Sequence, residues 1–518
     1  MPNKILELKN GDWLKGQSIH PSTALGGLFQ VFGGSNPFEV GGTATPSYLP
    51  LTKTASVSPS FLTPFNAGGL TYIHNHGGAS LERYLTTSPY TFTSKTAQIN
   101  QNLSGNTVTR LLNTHFWKNS YIYVNMINTT LVQFNNNAID VALASDFTMR
   151  NELTDSVANQ ADRVGDFVPL CVGSDGNLYG GHSQYIYVMS ALGTGACAFP
   201  GTSTGNTVKY KIDDGFNVRD IQTDGRYLII LADDNQIRVG SRLVGNYRVQ
   251  VYFWDMVKTQ SSGTVITPDA KYEFTDSWAI GTRYMDGAVY LLTYNGISIC
   301  NSVAQPRLLR PFPTTESINF GRPLHSKQMH ASKGTIYWID GTGTYGGAVF
   351  AYGNPVYGQP KVMSRPFSNA VTGEVVSALT SLGDSLVIGS NLPGIYTFNS
   401  SGNTTRGNLQ ITTLNYVLDK PVKYDYTKIT ATDKLSSGQS ITLSVYSRGG
   451  TQLISTETKS YNSSNPKQTF CFKRVPTTTN QPDRLEDITL VLTTIGCGLQ
   501  RITSYGTPQP QEDANDDI

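Results

Sequence analysis

Charge is scarce in this sequence. Asp, Glu, Lys and Arg make up 15% of its 518 residues, against about 25% in an ordinary soluble domain. The formal net charge of +2 gives no basic footprint for nucleic acid. It is also uneven: the final stretch QEDANDDI is acidic, which leaves the remainder at about +6, too dilute to argue for phosphate binding. No apolar run approaches the roughly 20 residues of a membrane span, and no span is expected. The opening MPNKILELKNGDW lacks the apolar core of a signal peptide, so no secretion is expected. That leaves the Asn-x-Ser/Thr triplets at Asn102, Asn128 and Asn403 as composition only. The five cysteines (171, 197, 300, 471 and 497) are widely spaced and form no CxxC pair. They read as buried free thiols, with a Cys471–Cys497 bridge as the alternative.

Glycine (50 residues), tyrosine (28), Ser, Thr and Asn fill the space that charge leaves. This turn-rich, strand-favouring composition points to an all-β protein. The stretch Val375–Phe398 carries the pattern most plainly: an apolar segment Val375–Leu379, a Gly383-Asp384 turn, then runs at Ser385–Gly389 and Gly394–Phe398. Period-two apolar runs bounded by Gly, Asn and Pro are the signature of antiparallel strands. Two or three short strands cannot bury their apolar face alone.

The same form recurs from about residue 68, with runs at Gly69–Ile73, Asn119–Asn125, Gln184–Val188, Asp224–Leu231, Asp286–Leu292 and Gly334–Ile339. Repeats of short strands at intervals of roughly 40–65 residues imply a β-propeller over 61–408, with six to eight degenerate blades. Asp146–Arg163 breaks the pattern with apolar residues four apart and predicts a short amphipathic helix.

Residues 1–60 are expected to form an extended Gly/Pro-rich arm, because paired glycines and repeated prolines forbid long helices and interrupt ladders. Trp13, Phe29, Phe32 and Phe38 are its interface candidates. These rings either clip into the protein's own body or reach a neighbouring subunit. After the polar linker Asn399–Gly407, seven or so short strands over 409–506 read as a β-sandwich. Residues 507–518 form an acidic tail.

No catalytic, metal or cofactor site is expected. Gly383-Asp384-Ser385-Leu386 spells an esterase motif, but no histidine follows Ser385. Gly341–Gly346 matches a dinucleotide-binding glycine pattern, yet a strand follows where a helix is needed. His74 and His76 fall on one face of a strand without a third ligand nearby in sequence. Asp213, Asp214, Asp233 and Asp234 read as ordinary turn residues.

Four phrases, Asp12–Gly16, Gly26–Phe29, Asp286–Gly296 and Leu435–Tyr446, together with the arm–propeller–sandwich order, give the chain a resemblance to propeller-bearing bacteriophage tail nozzle or tail-hub proteins. The resemblance implies a structural, non-enzymatic virion protein made in the host cytoplasm. It implies copies assembled in a ring around the DNA channel, adjacent tail or connector proteins as partners, and DNA only as passing cargo. A host-receptor or glycan-binding tail component is the alternative. A propeller enzyme degrading polysaccharide is weighed down by the absence of the Ser-x-Asp-x-Gly boxes of sialidases.

Overall fold

The computed structural model describes residues 2–9, 12–13, 29–33, 44, 51–54, 61–67, 70–77, 80–85, 92–94, 108–118, 120–127, 131–138, 167–182, 184–189, 210–234, 237–239, 242–244, 248–257, 266–276, 279–311, 326–339, 348–354, 361–368, 376–382, 385–390, 394–397, 407–475 and 484–509. The helix expected over 146–163 and the turn 341–346 lie outside them, as do the linker residues 399–406 and the tail from 510. Apart from short 3-10 turns, the described elements are strands, as the composition requires. Among the described residues no helix is long and apolar enough to cross a membrane.

The chain divides into two compact units, one of residues 52–347 and 371–397, the other of 1–51, 348–370 and 398–518. This differs from the expected division at 60, 408 and 506. Residues 1–51 group with the C-terminal residues, and so does a segment of the sixth repeat, Ala348–Gly353.

In the first unit the repeats become small antiparallel sheets, a propeller arrangement. Their first strands, in chain order, are Phe61–Ala67, Val108–Trp117, Leu170–Val172, Asn217–Thr223, Ala279–Met285, Met329–Ser332 and Val376–Leu382. Each of these strands contacts its counterpart in the next sheet, and Val376–Leu382 returns to Phe61–Ala67. The seventh sheet is completed at its outer edge by Leu51–Thr54, from the far end of the chain.

The fourth sheet shows why the sheets must stack. Its second strand, Leu228–Asp233, is buried throughout. Leu228, Ile230 and Ala232 pack with Cys171, Tyr179 and Ile186 of the third sheet. Ile229 and Leu231, on the opposite face, pack with Ala279, Val289 and Leu291 of the fifth. A strand buried on both faces reads as a continuous apolar run, and each such Leu or Ile contributes about 1.5–3 kcal/mol. At the closure, Leu62 of the first sheet packs with Ala378, Val387 and Ile395 of the seventh.

The turn pairs are tight hairpins. Asp286 and Gly287 have φ of 54° and 77°, and Lys333 and Gly334 have 48° and 71°. Two successive positive φ values give the type I′ turn, whose twist matches the flanking strands.

The second unit holds two sheets around one core. One runs Asn3–Lys9, Leu499–Pro508, Tyr416–Ala431, Thr469–Lys473. The other contains Gln452–Ser460, Ser440–Ser447, Leu485–Ile495, Asn408–Thr413, Phe29–Gly33 and Val362–Ser368 in that order. Leu485–Ile495 pairs with strands of both sheets and so turns the corner between them. Two runs expected as separate strands, 411–418 and 424–431, are divided differently: Tyr416–Ala431 is continuous, with its register shifting between Val417 and Val422. The tail expected from 507 begins later, because Thr507 and Pro508 still belong to a strand.

Candidate functional site

The first strands of the propeller unit gather a set of polar groups that no single motif contains. Asp220 on the fourth sheet is 3% exposed and accepts the Thr282 backbone N–H at 2.7 Å and Arg283 Nη1 at 3.0 Å from the fifth. Arg283 Nη1 also donates to the Thr282 carbonyl at 2.5 Å, and Nη2 donates to the carbonyls of Ser326 and Met329, the latter at 2.6 Å. One guanidinium thus ties together three successive sheets. His330 Nε2 lies 2.7 Å from Ser381 Oγ and links the sixth sheet to the seventh. His115 stands on the second sheet and Cys171 on the third.

Lys327 sits in the 3-10 turn Ser326–Gln328 that leads into the sixth sheet. Its charge acts on His115, Cys171 and His330 and is itself acted on by Arg283 and Asp220. Among the described residues no hydrogen bond or ion pair engages its ammonium.

The electrostatics follow from burial. Burial pulls His115 down to about 3, with Lys327 adding to the effect. Burial, then Arg283 and Lys327, pull His330 down to about 4. Both imidazoles are therefore neutral at pH 7. Burial and the Asp220 charge push the Cys171 thiol up to about 12, so it is no thiolate nucleophile. Burial pushes the Asp220 carboxyl up, against the opposing pull of Arg283 and the Thr282 N–H. Burial and Arg283 bring Lys327 down to about 8. A neutral histidine beside a serine hydroxyl is half of a nucleophilic arrangement, but among the described residues no carboxylate orients the His330 ring.

The expected interface residues divide. Trp13 and Phe29 are fully buried in the chain's own second unit. Their rings stack with centroids 5.5 Å apart and an interplanar angle of 2°. Trp13 Nε1 donates to the Gln500 carbonyl at 3.0 Å, and Phe29 opens a strand paired with Asn408–Thr413. The Phe32 side chain and all of Phe38 lie outside the described residues.

Two aspartates expected as plain turn residues are not that. Asp233 is 1% exposed; it accepts from Arg219 Nε at 2.8 Å and from the Ala279 N–H of the next sheet at 3.0 Å. Asp234 is buried and accepts from Arg248 Nε at 2.9 Å. Ser385 opens a strand and His74 and His76 lie on Leu70–Gly77, but their side chains lie outside the described residues. Among the described residues, no group of three or more His, Cys, Asp or Glu is placed to hold a metal; Cys171, Cys300 and Cys497 are buried free thiols, whereas Cys471, expected to be buried, is a free thiol on an exposed strand position and makes no bridge to Cys497.

Sequence reading missed the axial cluster. A signal for it exists in the alignment of the repeats. His115, Arg283 and His330 each stand two residues before the last residue of a first strand, Trp117, Met285 and Ser332 respectively. Polar side chains at one recurring position of an otherwise apolar repeat are gathered by ring closure.

No family model and no curated protein matches the chain. Among solved structures it is similar to virginiamycin B lyase from Staphylococcus aureus, at 12% identity and TM-score 0.42 over 68% of this chain and 97% of that one. It is also similar to the Pan2 WD40 domain of Neurospora crassa (11%, TM-score 0.40, 67% and 91%). BamB of Moraxella catarrhalis gives 10%, TM-score 0.36, 78% and 99%. At these scores the likeness carries no argument about function.

Proposed function

We propose that this chain is a structural protein of a bacteriophage virion tail, built from one closed seven-bladed β-propeller and a β-sandwich. The observation that carries this reading is how the chain is woven. Asn3–Lys9 and Phe29–Gly33 are edge and inner strands among the C-terminal strands, and Leu51–Thr54 fills the last propeller sheet. Such tying of distant segments resists local opening, which suits a part that bears load without turnover. The polar contacts from Asp220 through Arg283 to Ser326 and Met329, and between His330 and Ser381, have the same character, since they join the fourth, fifth, sixth and seventh sheets. In this reading the partners are further copies in a ring and the adjacent tail proteins. Electron microscopy of the purified protein, with mass spectrometry of purified virions, tests it. Rings with a central channel and the chain among the virion proteins are expected. A monomer at every concentration and its absence from virions would overturn it.

One observation favours the second reading, a glycan-binding tail component. Tyr426 and Tyr505 stack at 4.7 Å on neighbouring strands, with Lys428 Nζ 5.8 and 5.7 Å from their rings. Half-buried aromatic faces beside an exposed cation suit an amphipathic, acidic sugar. A glycan array separates the two readings: saturable binding abolished by Tyr426→Ala supports the second.

A further inference from the structure

We propose that the basic outer face of the sheet Asn3–Lys9, Leu499–Pro508, Tyr416–Ala431 and Thr469–Lys473 is the docking surface for the chain's own acidic C-terminal segment, residues 511–518. The face includes the tyrosine pair of the glycan reading, but the inference stands independently of both readings of the protein's role.

Strand register decides which side chains share this face, because paired residues point to the same side of a sheet. Leu8, Ile502, Ile429 and Phe470 are partners across the four strands and are buried in the core. The rows that alternate with them therefore face outward. Lys4, Tyr505, Tyr426 and Lys473 form one such row, Glu7, Thr503, Lys428 and Cys471 the next, and Lys9, Arg501, Thr430 and Thr469 the third. Lys423 stands opposite Thr507, whose hydroxyl donates to Asp425 at 2.7 Å.

The charge on these rows is one-sided. Six cations (Lys4, Lys9, Lys423, Lys428, Lys473 and Arg501) meet two carboxylates, Glu7 and Asp425, which leaves a surplus of four. Three of the six already converge on one acid: Lys4 and Lys9 lie 3.1 and 3.2 Å from Glu7 Oε2, and Arg501 pairs with Oε1. On the adjoining strand Gln452–Ser460, Glu457 pairs with Lys459 and so does not offset the surplus. Like charges fixed on one sheet face repel, and an anion that spans the face relieves them.

The matching charge lies in the same chain. Glu512, Asp513, Asp516 and Asp517 put four carboxylates on the last eight residues. The segment follows directly on Leu499–Pro508, an inner strand of this sheet, and the Gln509 N–H is fixed to the Pro421 carbonyl at 3.0 Å. Glu512 is three residues beyond that anchor, about 10 Å of extended chain, which is enough to turn back to the row of Lys4 and Lys473. That row spans three strand spacings, about 14 Å. The acids come as two pairs four residues apart, about 13 Å when extended, so one pair can meet each end while Ala514 and Asn515 cross the tyrosines. A tether this short gives the segment an effective concentration of order mM, which favours its own face over that of a second copy.

The test uses the full chain at low ionic strength. Carbodiimide cross-linking joins a carboxylate to a lysine amine, and mass spectrometry of the monomer should find residues 511–518 linked to Lys4, Lys428 or Lys473. Raising the salt to about 0.5 M should reduce these links several-fold. A chain ending at Gln509 should bind a peptide of residues 510–518 saturably. The full chain should bind the same peptide at least tenfold more weakly, because its own segment competes. Lys428→Gln with Lys473→Gln should weaken the peptide several-fold. Should the shortened chain fail to fold, cross-linking of the full chain decides alone. No links to these lysines, links confined to dimers, or equal peptide affinity for the two chains would overturn the proposal, the second outcome assigning the segment to a neighbouring copy.

Discussion

Trp13→Ala is the sharpest test of how the N-terminal residues are used. The indole is fully buried among Leu6, Leu8, Ile411, Leu499 and Ile502 in one core. It stacks on Phe29 and donates to the Gln500 carbonyl at 3.0 Å. Truncating a buried aromatic of this size costs about 3–5 kcal/mol through lost transfer energy and the cavity left behind. In a unit of roughly 200 residues that lowers the melting temperature by around 10 °C. Trp13→Phe keeps a ring and loses the hydrogen bond, so a smaller loss of about 1–2 kcal/mol is expected. Thermal unfolding gives the magnitude, and hydrogen exchange of the peptides around 409–413 and 499–504 gives the location. Unchanged melting and unchanged protection in those peptides would refute burial of Trp13 in its own chain. Destabilisation that disappears on dilution would place the ring in a neighbouring copy instead.

Acid should loosen the propeller unit. His115 and His330 titrate near 3 and 4 when folded, against an ordinary 6.5, so between pH 6.5 and those values the unfolded chain binds more protons. Stability is intact above 6.5 and falls by a few kcal/mol as the pH drops through that window; denaturation midpoints from pH 7 to 4 check this, and a flat profile contradicts it. Asp233→Ala should cost about 3–5 kcal/mol, because it strands Arg219 and the Ala279 N–H between two sheets; equilibrium unfolding in urea reads the loss. In a Cys197→Ser background, a disulfide reagent should modify Cys471 quickly and Cys171, Cys300 and Cys497 only on unfolding, since Cys471 alone of these is exposed; four equally fast thiols would contradict the packing.

Strand identity was legible in the sequence wherever a local rule decided it. Ser440–Ser447 alternates buried and half-buried residues along its whole length, as period-two patterning demands. Asp286-Gly287 and Lys333-Gly334 turn tightly because only a few residue types tolerate their φ values. Less was legible where the partner is remote. Nothing near Phe29 announces that its strand pairs with Asn408–Thr413. The Asp233–Arg219 and Asp220–Arg283 pairs look like turn and strand residues until the sheets stack. The axial site lay furthest from reading, since its members come from six repeats and share no local phrase.

The weave also constrains how the molecule folds. Most of its hairpins pair neighbours in sequence, such as Ala279–Met285 with Ala288–Thr293, and these can form early at little loop-closure cost. The closing steps are of another kind. Leu51–Thr54 must wait for Gly394–Thr397 to be in place, and Asn3–Lys9 must wait for Leu499–Pro508. Long-range pairing of this sort slows folding and leaves strand edges open in the meantime. The sparse charge of the sequence does little to guard such edges. The same two pairings that delay completion then tie both chain ends into finished sheets, so opening either end must break a formed ladder. Slow assembly and resistance to fraying share one cause: strands drawn from opposite ends of the chain.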